Sequence, residues 1–122
     1  MKYLLLLCGR PQDLEAWAAL PEEERARGRA LATRWMDAHP QIRRTFGLQL
    51  PHTITSVHPG PNGRPLVTDG PFLEGTEVIG GLVEIEVADL DEVLQFARAW
   101  VAGGPAHPVV EIWPMIEEDY GS

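Results

Sequence analysis

At 122 residues the chain has the length of one domain, long enough to bury most of the surface its unfolded form exposes. Hydrophobic residues make up 44% and charged residues 23%, which excludes the low-hydrophobicity signature of a disordered chain. With 18 acidic residues against 10 basic ones the net charge is -8. The molecule therefore repels a phosphate backbone, and nucleic acid is not expected as a partner.

The run Met1 to Cys8 is apolar and too short for a secretion signal before Gly9-Arg10-Pro11 breaks it. It reads as a buried first strand. No stretch approaches the roughly 20 apolar residues of a membrane helix, so neither a membrane nor a location outside the cytoplasm is expected. Cys8 is the only cysteine, which excludes an intramolecular disulfide and a multi-cysteine metal site. A helical stretch with Leu14, Trp17, Ala18 and Leu20 follows. Pro21 then restarts the helix, because its missing N–H has no partner in a first turn. Glu22, Glu23 and Glu24 complement the positive helix end. The main first helix is predicted over Pro21 to Ala38, with Gly28, Leu31, Trp35 and Ala38 on the apolar face and Arg25, Arg27, Arg29 and Arg34 in solvent. His39-Pro40 ends it.

Leu48 to Val57 is rich in β-branched residues and is expected to be the second strand. The turn cluster Pro59 to Gly63 leads into a short strand over Pro65 to Thr68. Val78 to Val87 is the clearest strand, placing Ile79, Gly81, Val83, Ile85 and Val87 on one face and Glu84 and Glu86 on the other. Gly80-Gly81 within it predicts a bulge or a close backbone approach. Asp89 and Glu92 form a capping box. The helix behind it carries Leu90, Val93, Leu94, Ala97, Trp100 and Val101 and stops at Gly103-Gly104-Pro105. Val109 to Ile116 is the last strand, at a sheet edge because Pro114 cannot donate to a ladder.

This order predicts an α+β, ferredoxin-like antiparallel sheet with two main helices on one face. If the other face is apolar, a second subunit or a ligand must cover it. A homodimer formed through the sheets is expected.

The segment Thr68-Asp69-Gly70-Pro71-Phe72, followed by Glu74, Glu77, Gly80 and Gly81, resembles the signature of the DGPF family of YCII-related proteins. Pro21-Glu22-Glu23, Gly47-Leu48-Gln49 and Val87 to Glu92 agree with it, so the resemblance spans nearly the whole chain. It implies a dimeric α+β barrel related to small isomerases and lactone-processing enzymes. It also implies a histidine and an aspartate meeting in a cleft, and an association with alternative sigma factors. The chain departs from the family at Gly28, Arg29 and Ala30, where relatives often carry the helix histidine, and at Leu82, where an aromatic is common.

Asp69 is either a turn residue accepting backbone N–H bonds or a proton-transferring carboxylate at a pocket edge. His52, at the mouth of the expected second strand, is the candidate partner in place of the absent helix histidine, for proton abstraction and return in an isomerase or lyase. Phe72 and Glu77 are the candidate ligand-binding residues beside it, one as a pocket wall or core plug, the other facing the cleft or solvent. The four histidines show no metal-ligand spacing, and no nucleophile elbow or phosphate loop occurs. No cofactor is expected. The two functional expectations are a small-molecule-binding dimer, catalytic by acid/base chemistry without a cofactor, and a non-catalytic interaction module linked to transcription.

Overall fold

The computed structural model describes residues 1–71, 75–103 and 109–117. Strand β1 (Lys2–Gly9) leads into helix α1 (Pro11–Ala18) and helix α2 (Glu22–Asp37). Strand β2 (Ile42–Gly47) and a hairpin of β3 (Thr55–Pro59) and β4 (Pro65–Asp69) follow. Strand β5 (Val78–Glu86), helix α3 (Leu90–Gly103) and strand β6 (Val109–Pro114) complete the order. The four-stranded sheet runs β2-β5-β1-β6 with every pair antiparallel. With the hairpin set aside as its own two-stranded sheet, this is the ferredoxin-like arrangement expected from the sequence.

The helices cover one face because alternate strand residues there are apolar. Tyr3 and Leu5 of β1, Val83 and Ile85 of β5, Val87 just beyond it, and Val93 and Phe96 of α3 form the buried core. Leu7, Ile42, Val110, Ile112 and Trp35 pack around them. Asp89 caps α3 as expected, with Glu92 N donating to Asp89 Oδ1 at 3.0 Å, while the Glu92 carboxylate reaches one residue past the cap and accepts from Ala88 N at 2.9 Å.

Several sequence expectations are corrected. The second strand of the sheet is Ile42–Gly47 and not Leu48 to Val57. In the latter stretch Pro51 starts a 3-10 turn, Pro51–Thr53, and only the residues from Thr55 are extended. Pro21 caps α2 from outside rather than entering it. Leu31 is 61% exposed, because the inward stripe of α2 runs through Gly28, Ala32, Trp35 and Met36. Ile79 leaves the core face: Leu7 pairs with Gly81 and Cys8 with Ile79, so Gly80 is an extra residue, and the bulge reverses the alternation beyond it.

Among the described residues no helix covers the opposite face of the sheet. Register places Leu4, Leu6 and Cys8 of β1 there beside Leu82 and Ile79 of β5, Phe46 of β2, and Val109 and Trp113 of β6. Phe46, Ile79, Val109 and Trp113 are exposed, Trp113 at 56%. Two cross-strand ion pairs sit on this surface, Arg44 to Glu84 at 3.1 Å and Arg43 to Glu86 at 3.3 Å.

Candidate functional site

The hairpin positions the two residues expected to exchange a proton. Its turn closes where Asn62 and Gly63 take left-handed backbone at φ 61 and 73, and Gly60 N donates to Arg64 O at 2.8 Å. At the other end Asp69 pairs with Thr55, Gly70 N donates to Ile54 O at 2.7 Å, and Ser56 Oγ donates to Gly70 O at 2.6 Å. Gly70 has φ 92, which glycine alone adopts without strain. These backbone groups and Ser56 hold the turn, and among the described residues no hydrogen bond of the Asp69 carboxylate joins them. His52 lies in the 3-10 turn three residues before Thr55, at the same end of the hairpin. His52 and Asp69 are both exposed, and no hydrogen bond links them.

Glu77 is also exposed and precedes β5 beside the end of β1. Its charge reaches Cys8 and Arg10. Burial, followed by the charges of Glu111 and Glu77, pushes the Cys8 thiol up from its ordinary pKa. Arg10 is held by Asp13 through Nε at 2.8 Å and Nη2 at 3.1 Å. Phe72 lies outside the described residues. Hence the structure sets His52 and Asp69 at one end of the hairpin and Glu77 at the β1–β5 edge.

At Gly28, the first of the three positions where the resemblance implies a histidine, a neighbouring ring takes the space of a side chain. A Cβ at Gly28 would sit 2.4 Å from Cη2 of Trp17, so the indole of α1 fills the place a side chain at this position of α2 would take.

Two concavities lie elsewhere, and neither is lined by His52, Asp69 or Glu77. An open groove of about 350 Å3 runs between α3 and β6, with Leu94, Val101, Val110 and Ile112 in its walls. A smaller cleft of about 170 Å3 lies between the end of α2 and α3 and is lined by His39, Gln41, Ile85, Val87, Glu92 and Phe96 among others. Sequence reasoning missed this second cleft. His39 stood out only as the residue that ends a helix, and Glu92 only as a cap. Their separation of 53 positions carries no spacing signal. Among the described residues no group of three or more His, Cys, Asp and Glu side chains comes together as a metal site, and no helix is long and apolar enough to cross a membrane.

The YCII-related domain matches residues 1–116 of the chain. An uncharacterized protein of Rhizobium meliloti (strain 1021) is 40% identical over 53 residues, 43% of this chain and 43% of that protein. The chain thus spans less than half the length of this curated relative in alignment. The ferredoxin-like sheet, the double-glycine bulge and the match over almost the whole length agree: the chain belongs to the YCII-related domain family.

Proposed function

We propose that the protein is a cytoplasmic homodimer that binds a small molecule where two sheets face each other. The uncovered apolar face carries this reading. Leu4, Leu6 and Leu82 lie at its centre, with Phe46, Val109 and Trp113 exposed around them, and exposed large apolar side chains gathered on one face mark an interaction surface. The polar groups on it are mostly paired, Glu84 to Arg44, Glu86 to Arg43 and Glu111 accepting from Trp113 Nε1 at 3.1 Å, which suits an apolar pocket with fixed polar anchors. His52 and Asp69, at the mouth of the hairpin, form the acid/base pair in this reading and act without a cofactor.

Light scattering at micromolar concentration tests the dimer. A mass of twice 13.5 kDa is expected, Leu6→Glu should give a folded monomer, and a wild-type monomer would overturn the reading. A screen of small carboxylates and lactones tests the ligand. With a turned-over compound in hand, His52→Ala and Asp69→Ala should each lower kcat by about 100-fold or more, the usual contribution of a positioned acid or base.

A further inference from the structure

The cleft between the end of α2 and α3 lies on the helix-covered side of the sheet, away from the open face, and needs no second copy. Four observations there agree. Gln41 Oε1 is shut off from solvent and has no hydrogen-bond partner, whereas buried acceptors in native proteins nearly always have one. The amide orientation is fixed by chemistry: Gln41 Nε2 faces Glu92 Oε1, and a carboxylate only accepts, so the flipped amide would set oxygen against oxygen. That bond is 3.3 Å long, beyond the usual N–H···O range, and is therefore slack.

Glu92 brings a negative charge that retains spare lone pairs after accepting from Ala88 N, and neither lysine nor arginine lines the cleft. The His39 ring also lines the cleft and is held there by Nδ1 donating to Trp35 O at 2.6 Å. The rest of the wall is apolar or aromatic: Ile85, Val87 and Phe96 line it with His39, whose ring meets Phe96 edge-on at 5.3 Å, and Trp35 packs behind both rings at 4.4 Å from each.

We propose that this cleft binds a small organic ammonium ion, with its N–H groups between Gln41 Oε1 and the Glu92 carboxylate and its short apolar body against Phe96, Ile85 and Val87. The ion replaces the slack Gln41–Glu92 bond with two charge-assisted ones. Release of the Gln41–Glu92 bond frees the terminal amide torsion, which is broad and soft, so that Oε1 turns from its enclosed position toward the ion. A cleft of 170 Å3 equals roughly five or six water volumes of about 30 Å3 each, which fits an amine of about four carbons.

The test is a calorimetric titration at neutral pH with n-butylammonium, n-butanol and butyrate. Saturable binding of one butylammonium in the millimolar range is expected, at least about tenfold tighter than butanol, with no binding of butyrate. Gln41→Met keeps the side-chain length and removes the orphan acceptor. It should raise the melting midpoint without ligand and weaken butylammonium binding by about tenfold, because removing an unsatisfied buried group is neutral or stabilising while its ligand contact is lost. The monomeric Leu6→Glu variant should bind the amine as the wild type does, which separates this site from the sheet interface. Equal affinity for butanol, unchanged amine binding by Gln41→Met, or no saturable binding because ordered water alone meets the oxygen would each overturn the proposal.

Discussion

Gly28 and Trp17 form a pair in which one residue exists for the other. Alanine at 28 gains about 1 kcal/mol of helix propensity over glycine, but its Cβ would meet the tip of the indole, which is 41% exposed and must give way. Gly28→Ala should therefore raise the melting midpoint more in a Trp17→Ala background than in the wild type. A thermal double-mutant cycle reads that difference. Cys8 offers a second residue-scale test. Its folded pKa is raised, so the native state keeps the thiol proton after the unfolded chain, whose thiol ionises near pH 8.5, has released it. The contribution is complete below that pH and is lost as pH rises through the folded pKa. Urea midpoints should fall between neutral and alkaline pH more for the wild type than for Cys8→Ala.

At the scale of elements, the start of α3 is the feature most directly written in the sequence. Asp89 and Glu92 stand three apart; the cap bond to Asp89 forms, and Glu92 reaches back to the amide just before it, that of Ala88. Asp89→Ala should cost about 1 kcal/mol and a few degrees of melting midpoint, measured by circular dichroism. Strand β2 was not legible, for an equally local reason. Its residues Arg43 and Arg44 look like a solvated run, and the register slips between Ile42 and Arg44, so no period-2 pattern survives. Leu48 to Val57 had the better strand composition, yet Pro51 turns the chain within it. On α2, composition drew Leu31 into the expected core, while the space beside Gly28 and the ring of Trp35 decided which stripe turned inward. The candidate site divided in the same way. His52 and Asp69 were found as residues, but their common place at the hairpin mouth depended on β-pairing that begins at Thr55. The His39–Gln41–Glu92 cleft is made by tertiary contact alone.

For the whole molecule, the element order pointed to the fold, and the sidedness of the sheet followed from alternation in β5, where Val83 and Ile85 face the helices and Glu84 and Glu86 do not; β1 is apolar on both sides and carries no such pattern. The hairpin stands outside that economy of packing. A two-stranded ribbon alone is marginal in water, and Val57 and Val67 are 65% and 67% exposed. Amides of β3 and β4 should exchange with deuterium well before those of β1 and β5 in the Leu6→Glu monomer. If the second copy also covers the hairpin, they should slow in the wild-type dimer. Strand β5 holds one more consequence, in the double glycine at its bulge. Loss of one residue inside a paired strand turns every side chain beyond it to the wrong face. At Gly80-Gly81 it does not, because the ladder already passes from Gly81 to Ile79 across that residue, and removing either glycine leaves the same sequence. Here the chain carries a slack link: a version shorter by one glycine should keep its sheet, whereas one lacking Val83 should not fold.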